Sequence, residues 1–265
     1  MSNDSVSKTI IVATLLCLVC SVIVSVAAVS LKPIQKQNKL LDKQKNILAA
    51  AGLLSPGVSV KDAFEKVEVK LVNVSEGRFA TESELADLGV TDLSLYNQRR
   101  AAKTSGINVK LPSDIDTASI HSRAKYAAVY LYRDSNGGLD KIILPIHGYG
   151  LWSTLYGFIA LENDLNTVAG LGFYEHAETP GLGGEVDNPR WKAQWPGKQV
   201  YKEDNSVGLR LKKGGVDASK PQAIYQVDAL AGASLTSRGV TNLVQFWMGN
   251  DGFGLFLNNI RGEGV

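Results

Sequence analysis

Between residues 9 and 31 the chain reads TIIVATLLCLVCSVIVSVAAVSL, with no charged side chain at all. This run limits the possible folds more than any other feature. A helix rises ~1.5 Å per residue, so a run of this length crosses the ~30 Å hydrocarbon core of a bilayer. A cleaved secretory signal is the alternative, and Ser25-Val26-Ala27 would serve as a small-residue cleavage site. The run exceeds the ~7–15 apolar residues of a signal core, however, and only Lys8 supplies positive charge ahead of it. The expectation is therefore a short tail over residues 1–8 and a retained single-span anchor over 9–31. Ala13, Thr14, Ser21, Ser25, Ala27 and Ala28 suit close packing against other membrane helices. Cys17 and Cys20 lie about one turn apart and read as small packing residues, since two thiols on one helix do not complete a metal site. Lys32, Lys36, Lys39, Lys43 and Lys45 follow the span, which by the positive-inside rule would put the large domain in the cytoplasm.

The remainder of a 265-residue chain is long enough for one large domain or two small ones. A net charge of +2 gives no sign of a nucleic-acid partner. Beyond the anchor there is no cysteine, and His121, His147 and His176 show no zinc-ligand spacing, so no metal site is expected. Redox chemistry in this body would need an organic cofactor or a partner chain.

Residues 32–54 read as a juxtamembrane helix, with Ile34, Leu41, Ile47 and Leu48 near helical spacing and an end marked by Gly52 and Ser55-Pro56-Gly57. Residues 55–265 form the extramembrane domain. Its first part, 55–123, is the less regular: Ser59 caps a short helix over 60–67, a strand follows over 67–74, and another short helix falls near 93–102. The second part, 124–265, carries strands at 126–133, 141–148, 156–161 and 167–176, separated by turns such as Asn136-Gly-Gly138. Short connections imply an antiparallel sheet. Val240, Leu243, Val244 and Trp247 give a helix beginning near Gly239 and ending at Gly249. The fold class is thus α+β: one N-terminal transmembrane helix, then a mostly antiparallel-sheet domain flanked by helices.

Three stretches can carry chemistry. Glu178-Thr-Pro-Gly-Leu-Gly-Gly184 follows a strand, and its glycines let backbone N–H groups approach a ligand; an ordinary strand-to-loop turn is equally compatible. No G-x-G-x-x-G fingerprint opens a helix, so a dinucleotide-binding fold is excluded. Asp228-Ala-Leu-Ala-Gly-Ala-Ser-Leu-Thr-Ser-Arg-Gly239 places Ser234, Thr236 and Ser237 at a helix N-terminus, where an anion is favoured and Arg238 adds a charge. Simple N-capping by Thr236 or Ser237 is the competing explanation, and on spacing alone the stronger one. Gly148-Tyr-Gly-Leu-Trp152 offers either an aromatic platform for a flat heterocycle or plain core packing. Lys198, after Trp195-Pro-Gly197, is a further candidate for meeting an anionic group, although an exposed loop lysine usually has no specific role.

Together these stretches resemble the NqrC-like family, the C subunits of the sodium-translocating NADH:quinone oxidoreductases of bacterial membranes. The resemblance covers nearly the whole chain, through Leu31-Lys-Pro-Ile-Gln35, Leu41-Asp-Lys-Gln-Lys-Asn-Ile-Leu48, Gly148-Tyr-Gly-Leu-Trp152, Phe173-Tyr-Glu-His-Ala-Glu-Thr-Pro-Gly-Leu-Gly183, Trp195-Pro-Gly-Lys198, the stretch ending in Thr236, and Phe253-Gly-Leu-Phe256. It implies an FMN-binding domain in which a flavin transferase joins FMN through its phosphate to a threonine, in a pattern like D-x-x-[ST]-G-A-[ST]-x-T. On that pattern Thr236 is the acceptor, Asp228 the leading aspartate and Ser234 the penultimate hydroxyl. Ala231 departs from the usual serine or threonine and removes one possible hydrogen bond.

The resemblance further implies that Gly232, Ala233, Ser234 and Leu235 surround the linkage. Glu178, Thr179, Leu182, Gly183 and Trp152 would border the flavin ring. The chain would be an electron carrier within a membrane complex that oxidises NADH, reduces quinone and pumps Na+, with no catalytic residue of its own. Its partners would be the other subunits and the membrane, and its large domain would be periplasmic in the bacterial inner membrane, against the lysine count. The span holds no ionisable group except two thiols, so no direct sodium path through it is expected. Two rival readings are the related flavoprotein subunit of a ferredoxin/NAD electron-transport complex and a cofactor-free, membrane-anchored periplasmic binding or scaffold domain.

Overall fold

The structure is a computed structural model that describes residues 5–54 and 57–263. The chain divides into two compact units, Met1–Lys43 and Gln44–Val265. The first is helical over nearly all its described length, within α1 (Val6–Ala50), which continues through Pro33. Proline removes one N–H from the ladder there and does not end the helix. Val6 is already helical, so the later part of the tail expected over residues 1–8 belongs to α1, and residues 1–4 lie outside the described residues. The most apolar part of α1 has a mean hydropathy of 2.9 and none of it is buried; among the described residues it is the one helix long and apolar enough to cross a membrane.

The second unit opens with the last turns of α1. They end at Ala50 rather than at 54, where the N–H of Leu53 returns to the carbonyl of Leu48 at 2.9 Å. The Ser55-Pro56 turn lies outside the described residues. Helix α2 (Val60–Phe64) is capped by Ser59, whose Oγ accepts from the N–H of Asp62 at 3.1 Å. The chain continues through β1 (Val67–Asn73), β2 (Arg78–Phe79), α3 (Glu82–Asp87), α4 (Gln98–Ala101), β3 (Asn108–Lys110), β4 (Ser122–Ala124), β5 (Tyr126–Arg133), β6 (Leu139–Tyr149), β7 (Thr154–Glu162) and β8 (Val168–Glu175). It ends with α5 (Pro189–Lys192), β9 (Arg210–Lys212), β10 (Gln226–Asp228), α6 (Ser234–Met248) and α7 (Gly254–Glu263).

Six strands form one antiparallel sheet in the order β2-β1-β5-β6-β7-β8. Strand β1, close to the strand expected over 67–74, pairs with β5 from Val67↔Tyr132 to Asn73↔Tyr126. Both sheet faces are covered, which explains why β5 reads as a nearly continuous buried run. On one face Val129, Leu144, Ile146 and Ile159 pack with Val240, Leu243 and Val244 of α6 and with Phe253 and Phe256. On the other Ala128, Tyr130, Ile143 and Phe158 pack with Ile47, Leu48 and Ala101.

The helix expected over 93–102 is instead a 3-10 turn, Leu93–Leu95, followed by the separate α4. Asn97 divides them: its side chain accepts from the N–H of Arg100 at 3.0 Å and so starts a new helix. Helix α3 was not expected, although Thr81 and Glu84 form a reciprocal capping box. Helix α7 was also not expected, and it contains part of the Phe253-Gly-Leu-Phe256 run.

Beyond Ile143, β6 no longer pairs with β5. Its free edge is closed by the Trp247 indole, which donates to the His147 carbonyl at 2.7 Å, and by the Ala118 carbonyl, which accepts from the N–H of Tyr149 at 2.8 Å. These contacts fix α6 across the end of β6 and bring its first turn to the β6–β7 connection.

Candidate functional site

Helix α6 starts at Ser234, well before the Gly239 start expected from its apolar spacing. Gly232, at φ +73°, turns the chain into the helix. Ala233 is the N-cap residue, and no side chain caps the helix. Thr236 is therefore inside the first turn and 1% exposed, and Ser237 is buried beside it. The two hydroxyls are used elsewhere. Ser237 Oγ accepts from the N–H of Leu230 at 3.0 Å, and Thr236 Oγ1 donates to Glu178 Oε2 at 2.7 Å. Capping, the simpler explanation of these residues, is not what they do. The first-turn N–H groups of α6 have no intrahelical carbonyl to bind, and the helix dipole favours an anion there.

Glu178 comes from the loop after β8 and is 5% exposed. Its Oε1 accepts from the N–H groups of Leu151, Trp152 and Ser153 at 3.1, 3.0 and 3.2 Å. Burial by itself raises the carboxyl pKa. The bonds from Thr236 and from the Trp152, Leu151 and Ser153 backbone outweigh it and hold the group below its ordinary value, as a carboxylate. The Glu178 N–H donates to His176 Nδ1 at 3.2 Å, which leaves the His176 proton on Nε2, 2.8 Å from Asp187 Oδ2. Ser153 Oγ accepts from the N–H of Ala177 at 2.7 Å, a second tie between the two loops.

The other expected site residues fall around this pair. A Cβ on Gly183 would lie 2.6 Å from Thr236 Oγ1 and 2.8 Å from Glu178 Oε2, so only glycine fits. Glu178 and Gly183, both expected near the ring, lie directly against the Thr236 hydroxyl. Thr179 is exposed and accepts through its carbonyl from the N–H groups of Leu182 and Gly184 at 3.1 and 2.9 Å, which shapes the turn. Ser234 and Gly232 are exposed and Ala233 is buried. Trp152 is 66% exposed, and Leu182, Leu235 and Tyr149 are also large apolar side chains left in solvent.

Asp228 and Lys198 have structural partners. Asp228 Oδ1 accepts from the N–H of Val216 at 2.7 Å, and Lys198 Nζ donates to the Ala223 carbonyl at 2.9 Å. Ala231 and Arg238 are exposed. Ser153, His176 and Asp187 were not singled out from the sequence; the only local signal was the His176-x-Glu178 spacing. Recesses of about 240 and 490 Å³ occur elsewhere, beside Lys198 and Ala223 and between Leu88 and Ile107.

The donor set suits a phosphorylated heterocycle. An uncapped helix N-terminus and a hydroxyl in a glycine cradle fit a phosphoester, and exposed aromatic and aliphatic side chains fit a flat ring. Residues 150–249, which contain Trp152, Glu178 and Thr236, match the FMN-binding domain family. The whole chain is 51% identical to the C subunit of Na(+)-translocating NADH-quinone reductase from Pseudomonas aeruginosa, over 98% of each chain. It is 43% identical to the Yersinia pestis protein of the same name, over 98% of this chain and 95% of that one. The crystal structure of Shewanella oneidensis NqrC superposes with a TM-score of 0.76 at 35% identity, covering 85% of this chain and 99% of that one. The crystal structure of the same reductase component from Parabacteroides distasonis gives 0.63 at 25% identity, covering 86% and 96%. The chain belongs to the family formed by the C subunits of Na(+)-translocating NADH-quinone reductases. This membership decides against the ferredoxin/NAD relative, and the FMN-binding domain decides against a cofactor-free scaffold.

Proposed function

We propose that the chain carries FMN as a phosphoester on Thr236 and relays electrons within a membrane reductase that oxidises NADH, reduces quinone and moves Na+. The observation that carries this reading is the Thr236 hydroxyl, held by Glu178 in the uncapped first turn of α6. When bound, the flavin supplies the redox chemistry, and the protein supplies position and environment. The first-turn N–H groups of Ser234 and Leu235 would hold the phosphate, and the absence of a side chain on Gly183 would keep the flank of Oγ1 clear. Trp152, Leu182 and Leu235, exposed near the hydroxyl, would supply apolar contacts to the flavin. A covalent tether suits such a shallow site, because retention does not depend on a deep pocket.

The other subunits of the reductase are the redox partners, and a flavin transferase is the maturation partner. The apolar part of α1 anchors the chain in the bacterial inner membrane with the large domain in the periplasm. Protection of that domain from protease in spheroplasts would contradict this side. For the linkage, the chain is co-expressed with a flavin transferase and run on a denaturing gel. Flavin fluorescence remains with the wild-type band and is lost in Thr236→Ala. A dark wild-type band, or fluorescence that survives Thr236→Ala but not Ser234→Ala, overturns the assignment.

A further inference from the structure

We infer that Glu178 is the proton acceptor for esterification of Thr236, so that the acceptor chain brings its own carboxylate to the transfer. This rests on the reading of Thr236 as the attachment residue. The hydroxyl proton points at Glu178 Oε2 over 2.7 Å, which turns the oxygen lone pairs away from Glu178 and toward an incoming phosphorus. Oε1 already accepts three N–H groups, which leaves Oε2 as the oxygen free to take a proton. His176 holds the backbone of the same residue, so the carboxylate does not swing away.

Thr236 is 1% exposed and Gly183 lies against Oγ1, so phosphorus reaches the oxygen when the loop segment at Gly183 moves aside. Glu178 is tied to the opposite turn at 151–153 and stays with the hydroxyl when this happens. In the transfer, Oγ1 forms a bond to the FMN phosphorus of a flavin dinucleotide, whose FMN phosphate is held as an anhydride. The anhydride P–O bond breaks, AMP leaves, and the Thr236 proton passes to Oε2 and then to the leaving phosphate or water. No electrons change hands. Phosphoryl transfer asks little of a base, because its transition state is loose; a carboxylate placed on the attacking hydroxyl is sufficient, as in protein kinases.

The test measures initial rates of covalent flavin incorporation with purified flavin transferase, FAD and increasing concentrations of the full chain. Glu178→Gln lowers kcat for labelling by about 100-fold, while KM for the chain stays within about twofold of wild type by the same reasoning. The ratio of mutant to wild-type rate rises with pH as hydroxide replaces the missing acceptor. Labelling of Glu178→Gln at the wild-type kcat, or a loss confined to KM, overturns the inference. If Glu178→Gln does not fold, Glu178→Asp decides, because it keeps the charge but withdraws it from Oγ1. A lower kcat with unchanged KM supports the role, and wild-type labelling refutes it. An unlabelled wild type, or a labelled Thr236→Ala, would instead remove the attachment reading underneath.

Discussion

The N–H of Trp152 donates to Glu178 Oε1 at 3.0 Å while the indole of the same residue stands 66% exposed. The buried carboxylate fixes the backbone of the turn, and the turn holds a large aromatic side chain in solvent. Core packing of Trp152, one of the two expectations from sequence, is therefore not its role.

Replacing Trp152 by alanine removes surface without disturbing the Glu178 contacts, which are to backbone. Stability changes by no more than about 0.5 kcal/mol in denaturant melts. Covalent flavin is still incorporated, and its emission rises because a neighbouring indole no longer quenches it. Unchanged emission from the labelled variant would show that the ring does not lie against this residue.

Glu178→Gln separates charge from shape. The Glu178 pKa lies below its ordinary 4.5 in the fold. Its bonds therefore stabilise the protein above that ordinary value, and the contribution is lost as pH falls through the lower folded value. Near neutral pH the variant is less stable by about 1.5–3 kcal/mol, the range for hydrogen bonds to a charged group. Urea melts at a series of pH values show the gap between the two proteins closing below pH 4.5. A gap independent of pH would assign the loss to packing.

The sheet was legible because its signals are local. Period-2 patterns and turn residues located β5, β6, β7 and β8, and β5 matches its expected 126–133 span. The start of α6 was not legible. Ala231-Gly-Ala233 contains no capping side chain, so capping chemistry pointed past Ser234, toward residues that are already helical. The central contact was also hidden. Glu178 and Thr236 are 58 residues apart in sequence, and the three donors to Oε1 are backbone groups of a third segment, which no side-chain motif encodes. The family resemblance pointed to both residues, but not to the bond between them.

His147 gives an acid-side test remote from the hydroxyl. Its ring packs between Tyr156 and Trp247, and burial, together with the Arg99 guanidinium, pushes its pKa down to about 4, opposed by Asp116. Between the ordinary 6.5 and that value the unfolded chain takes a proton that the fold refuses. Stability therefore falls with pH across this window, by up to about 1.4 kcal/mol per pH unit from this group. His147→Phe keeps a flat ring and removes this slope. An identical pH dependence in the variant would place the titration elsewhere.

Gly183 and Gly181 separate steric from backbone effects within one loop. A side chain on Gly183 collides with two buried polar atoms, Thr236 Oγ1 at 2.6 Å and Glu178 Oε2 at 2.8 Å. Gly181, at φ +74°, has nothing within 4 Å of a Cβ, so its substitution meets only the left-handed backbone penalty. Gly181→Ala thus loses about 1–2 kcal/mol and still accepts flavin. Gly183→Ala loses about 1–3 kcal/mol through overpacking. It also labels far more slowly, because its methyl group occupies the flank of Oγ1 and pushes the hydroxyl off Glu178. Thermal melts compare the two folds, and gel fluorescence over time compares the two acceptors. Equal labelling rates in folded Gly183→Ala and Gly181→Ala would show that the space beside Oγ1 is not where the phosphate arrives.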